Sequence, residues 1–147
     1  MSKVCTYLHF FRRTEEAFNF YKEVFGTELM GPGFMRYDDA PAQEGIPSFP
    51  EDEKKLIMHV ELPILGGHVL MGTDVPKSMQ PKITEGNSVY IMLQPDTREE
   101  TRKLFNALSK GGTVEQDLQD MFWGDYYGSC QDKFGVHWMF DCTEKAS

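Results

Sequence analysis

An internal duplication restricts this chain to folds built from two copies of one small unit. Residues 15–26 place Ala17, Phe18, Tyr21, Val24 and Phe25 at helical spacing and stop at Gly26. Residues 98–110 repeat the plan with Leu104, Phe105 and Leu108, and Gly111-Gly112 follows. Each helix comes after one apolar strand and before three more. Gly67-His68-Val69-Leu70-Met71 in the first half is answered by Gly135-Val136-His137-Trp138-Met139 in the second. A shift of 84 takes Phe20 to Leu104 and Val24 to Leu108, and carries Thr6 to Tyr90. Two βαβββ modules of this kind form an α+β architecture of curved mixed sheets around a cleft, with equivalent positions facing one another.

The chain divides into a first module over 1–73, a linker over 74–87 and a second module over 88–147, together one globular domain. In the first module the β-branched and aromatic residues of 4–11 predict a strand. Thr14 is placed to cap the helix, which Glu15 and Glu16 open with charges that suit its dipole. A strand is expected over 27–37 and a long loop over 39–53, where Pro41, Gly45, Pro47 and Pro50 cluster. Residues 55–64 and 68–73 read as a hairpin about Gly66-Gly67. The second module has strands expected over 88–94, 112–118, 125–131 and 136–142, with its helix after Pro95-Asp96-Thr97.

With 147 residues the chain can bury a core without staples. Its 15 Lys and Arg against 23 Asp and Glu give a net charge of −8, which repels phosphates and anionic lipid. Arg12-Arg13 and Lys54-Lys55 are too short to form a basic patch, so neither nucleic acid nor a membrane surface is expected as a partner. Cys5, Cys130 and Cys142 fit neither a zinc knuckle nor a Cys-x-x-Cys motif and read as reduced thiols of a cytoplasmic protein. No run approaches the ~20 apolar residues of a membrane span.

Several side chains are candidates for chemistry. His59 and Glu61 are two apart on a strand and share a face, as a general base or a hydrogen-bonding anchor requires. His9, His68 and His137 have no metal-ligand spacing among themselves. Trp123, Tyr126 and Tyr127 cluster near a glycine turn and can stack on a flat ligand. Met58, Met71, Met92, Met121 and Met139 suit an adaptable apolar wall. Neither Gly-x-Gly-x-x-Gly after a strand nor a phosphate loop is present, so adenosylmethionine has no glycine-rich strand-to-helix turn to receive it.

The element order and a series of motifs resemble the vicinal oxygen chelate superfamily (glyoxalase, bleomycin resistance and dioxygenase), and within it the PhnB-like branch. The motifs are Tyr7-Leu8-His9-Phe10, Phe20-Tyr21-Lys22-Glu23-Val24-Phe25-Gly26, His59-Val60-Glu61-Leu62, Leu70-Met71 with Asp74, Trp123-Gly124 with Tyr127-Gly128, and Asp132-Lys133-Phe134-Gly135-Val136-His137-Trp138. Enzymes of that superfamily hold a divalent ion on the first and last strand of each module. The resemblance puts those positions at about Thr6, Met71, Tyr90 and Met139, and a one-residue slip gives Cys5, Gly72 and Phe140 instead. Neither set suits a hard cation, so the expectation is no metal and no cofactor. The resemblance further implies a homodimer and a cleft that takes a small apolar or aromatic molecule, lined by His59, Glu61, Met71, Tyr90, Trp123 and Met139. The alternative is a metal-dependent lyase, isomerase or dioxygenase with His59 and Glu61 as off-pattern ligands. A methyltransferase-like activity ranks below both.

Overall fold

A computed structural model describes residues 1–40, 49–78 and 82–147. Residues 41–48 of the expected 39–53 loop and 79–81 of the expected linker lie outside the described residues. The chain divides into two compact units, Met1–Thr84 and Glu85–Ser147.

The first unit runs β1 (Thr6–Phe10), α1 (Thr14–Phe25), β2 (Met35–Arg36), β3 (Ile57–Pro63) and β4 (Val69–Asp74). Its sheet has the order β1-β4-β3-β2, with β1 parallel to β4 and the other neighbours antiparallel. The second unit runs β5 (Ile91–Leu93), α2 (Arg98–Ser109), β6 (Thr113–Asp120), β7 (Tyr126–Gln131) and β8 (His137–Cys142). Its order, β5-β8-β7-β6, again has one parallel pair, β5 with β8. The duplication legible in the sequence is therefore a duplication of topology.

Helix α1 buries Thr14, Ala17, Phe18 and Tyr21 against its sheet, where Ile57, Val60, Leu62 and Leu70 complete the core. Gly72 permits the contact: a Cβ there would lie 2.8 Å from Phe18 Cζ and closer still to Cε1, so only glycine lets the ring settle on β4. Gly26 ends the helix in the left-handed conformation at φ 66°, with its N–H donated to the Lys22 carbonyl. In the second unit Thr101, Leu104, Phe105 and Leu108 face the sheet, and Phe105 packs edge-on against Phe140 at 5.2 Å between centroids.

Two local expectations are corrected. Thr14 is the first residue of α1, and its side chain caps nothing; the cap comes from Asp74 at the end of β4, whose Oδ1 accepts the Thr14 N–H at 3.0 Å while Oδ2 accepts the Ile57 N–H at 2.9 Å. One buried carboxylate thus ties the start of the helix to the start of β3. The strand expected over 27–37 shrinks to Met35–Arg36, because Gly31 and Gly33 take positive φ around Pro32 and turn the chain instead of extending it.

Candidate functional site

Side chains alternate along a strand, so the contact between Gly72 and Phe18 fixes which residues of the first sheet point away from α1. Gly72 neighbours Leu8 and Val60 on the helix side; the intervening positions, Tyr7 and His9 on β1, Glu61 on β3 and Met71 and Thr73 on β4, project from the opposite face. Tyr7 stands beside Met71 in register, and Met71 beside Glu61. His59 joins them: its Nδ1 is 2.9 Å from the Tyr7 hydroxyl, and its Nε2 is 3.5 Å from Glu61 Oε2. His9 packs edge-on to Tyr7. The structure therefore gathers His59, Glu61 and Met71 on one face and adds Tyr7 to them.

A cavity of about 750 Å³ opens on this unit, lined by Tyr7, His9, Tyr37, Met58, Thr73 and Ile83 among others. Burial pushes the phenols of Tyr7 and Tyr37 above their ordinary ionisation range, and neighbouring negative charge adds to it. Both remain hydrogen-bonding phenols at neutral pH. Tyr37 is already committed, donating to the Asp74 carbonyl at 2.8 Å, so Tyr7 is the phenol whose partner, the His59 ring, can change with tautomer.

The second unit repeats the theme with different residues. Phe140 faces α2, so Met139 and Asp141 project away from it, with Met92, Tyr127 and Ser129 beside them in register. Tyr90 and His137 pack ring to ring at 4.9 Å, and Glu115 Oε2 lies 3.0 Å from the Tyr90 hydroxyl and 3.1 Å from His137 Nδ1. Trp123 sits in the turn between β6 and β7, 49% exposed, against Phe122 and the edge of Tyr127. Tyr90 and Met139 thus belong to one face, with Trp123 at its Tyr127 end.

The one-residue phase of β1 needs correction. The 84-residue shift put Thr6 inward, but Thr6 pairs with Leu70 on the helix side and its hydroxyl meets His68 Nε2 at 2.9 Å. Met71 and Met139 are matched instead by Tyr7 and Met92, a shift of 85 along the first strands. The alternation Leu8, Phe10 against Tyr7, His9 carried that signal. The positions on the first strands that pair with Met71 and Met139 and face away from the helices are therefore Tyr7 and Met92. Thioethers and a protonated phenol do not fit a hard divalent ion. Among the described residues no group of three His, Cys, Asp or Glu side chains is placed to hold a metal.

Residues 2–140 match the family described as 3-demethylubiquinone-9 3-methyltransferase. The chain belongs to this family. Its fold resembles that of protein PA1353 from Pseudomonas aeruginosa, 32% identical, with a TM-score of 0.80 over 97% of this chain and 98% of that one. It is similar also to a PhnB protein from Bacillus cereus, 24% identical, TM-score 0.73, covering 96% and 99%. A glyoxalase/bleomycin resistance protein/dioxygenase family enzyme from Burkholderia phytofirmans PsJN shares the fold at 17% identity, TM-score 0.58, covering 95% and 98%. The likeness to the PhnB protein and to the glyoxalase/bleomycin resistance protein/dioxygenase family enzyme is one of fold. The connections from β1 to α1 and from β5 to α2, residues 11–13 and 94–97, contain no glycine.

Proposed function

We propose that this PhnB-like protein binds a small apolar or aromatic molecule against the sheet face opposite α1. The observation that carries the reading is the 750 Å³ cavity, a size suited to a small organic ligand, walled by the rings of Tyr7, His9 and Tyr37 and by aliphatic side chains, with Thr73, Thr84 and Lys82 among them. Binding would draw on burial of apolar ligand surface, at roughly 25 cal/mol per Å² less the costs of association. Tyr7, held by His59 with Glu61 behind it, supplies one directional contact to an oxygen or nitrogen of the ligand. In the second unit Tyr90, Met139 and Trp123 form a comparable face of rings and thioether, available to the same class of compound.

The test is a melt in the presence of an aromatic compound library. Compounds that bind the native state raise the melting temperature by mass action, and filling the cavity with Thr73→Trp abolishes the rise while leaving the unliganded melt near wild type. A rise that survives Thr73→Trp places the ligand elsewhere and ends this reading.

A second copy of the chain is the proposed partner. Edge strand β6 exposes Val114, Phe122 is 97% exposed in the turn that follows, and Met92 is 47% exposed on the edge strand β5. Exposed apolar side chains in such number favour association.

A further inference from the structure

We propose that the ligand of the first unit's cavity is an anion with an apolar body, an aryl or alkyl carboxylate, and that Lys82 receives its charge. The inference deepens the binding function proposed above and rests on it.

Lys82 lines two adjoining cavities of the first unit, the one of about 750 Å³ and another of about 530 Å³ walled by Phe11, Val75, Pro76 and Ile83. Five other cations of this unit are paired with carboxylates, Arg12 and Lys77 with Asp52, Arg36 with Glu15, Lys54 with Glu51 and Lys22 with Glu28, and of the two lysines that line these cavities, Lys77 and Lys82, Lys77 is one of them. Among the described residues Lys82 has no such partner, although acids outnumber bases 23 to 15 in this chain. A lysine at the wall of an apolar cavity can lay its stem along the rings and keep its ammonium at the mouth.

Tyr37, also in the wall of this cavity, marks a part of it that selects against an anion. Tyr37 is held protonated by burial first and then by the negative charge of Asp74 and Glu53 near it. Asp74 has both carboxylate oxygens committed to backbone N–H groups, which fixes its charge in place. An anionic group is therefore disfavoured beside Tyr37 and attracted to Lys82, and the apolar body lies along Tyr7, His9 and Thr73. The overall charge of −8 opposes an anion only at long range. At physiological salt that field decays over about 8 Å, whereas a contact pair at the cavity mouth is screened much less.

The experiment titrates the intact protein with matched pairs of probes, the carboxylate and the primary amide of benzene, naphthalene and biphenyl, following backbone amide resonances of Tyr7, His9 and Thr73. The carboxylate of the best-fitting arene is expected to bind at least tenfold more tightly than its amide. Lys82→Met, which keeps an apolar stem, brings the ratio to about one with the amide affinity unchanged, and Lys82→Arg retains the preference. Equal affinities in the wild type, or a preference that persists in Lys82→Met, overturn the anion inference and leave the cavity's role standing. If no member of any pair moves those resonances, the binding reading falls and this inference with it.

Discussion

Asp74 shows how one side chain can set a local geometry. Its carboxylate accepts the first N–H of α1 and the N–H of Ile57. Asp74→Ala leaves two backbone donors unsatisfied in a buried setting and should lower unfolding free energy by about 3 kcal/mol, read in urea titrations. Asp132 has the parallel task in the second unit: Oδ1 accepts from Phe134 and Val136 N–H and Oδ2 from the Trp138 indole, which together shape the turn into β8. Cys130 supplies a pH signature. Burial, then Asp132 and Glu115, pushes its thiol up from 9.0 to about 12. The folded state then holds this proton more tightly than the unfolded chain does. The resulting stabilisation is complete below pH 9.0 and is lost as pH rises toward 12. Cys130→Ala should flatten that decline between pH 9 and pH 11 in urea melts, and a decline equal to wild type would contradict the assignment. Iodoacetamide should label Cys5 well before Cys130 and Cys142, which are both fully buried.

At the scale of elements, the two helices solve the same packing problem with opposite residues. Phe18 of α1 rests on Gly72 of β4, whereas Phe105 of α2 meets the ring of Phe140 at the corresponding place on β8. Gly72→Ala should therefore cost about 1–3 kcal/mol by overpacking and raise sensitivity to urea, while leaving the second unit's near-ultraviolet signals intact. Helix periodicity and glycine stops were legible in the sequence because burial of one stripe demands them, and both helices lie within a residue or so of where that spacing places them. The short β2 was not legible: Met35 and Arg36 follow a Gly-Pro-Gly turn whose bend overrides the strand preference around it. The phase of β1 was readable from Leu8 and Phe10, yet matching the halves through their helices misplaced it. The helices themselves show why: buried Thr14, Ala17, Phe18 and Tyr21 correspond to Thr101, Leu104, Phe105 and Leu108, a shift of 87 rather than 84. The connection into each helix absorbs the two residues between this and the strand shift of 85, so the shift of 84 is wrong by three in the helices and by one in the strands, and that odd offset turns Thr6 toward the wrong face. Tyr7 and Glu115 were missed for such reasons, Tyr7 by phase and Glu115 because it sits where the β6 register is irregular.

For the molecule as a whole, duplication leaves each unit with one sheet face under a helix and one bearing rings, thioethers and a Tyr-His-Glu cluster. In the first unit the cluster is Tyr7, His59 and Glu61, and in the second it is Tyr90, His137 and Glu115. The clusters draw on different strands, so they are not copies inherited through the repeat; each arises because polar groups on a partly covered face need partners. The exposed Val114, Met92 and Phe122 lead to the expectation that light scattering gives about twice the 16.9 kDa mass of the chain, and that Phe122→Glu with Val114→Glu returns it to the single-chain value. The central claim is that the face opposite α1 is the binding face. A crystal structure of the protein with a compound that raises its melting temperature tests this most directly: the account predicts the compound against Tyr7, His9 and Thr73, and a compound seated on the outer surface of α1 or away from this sheet would contradict it.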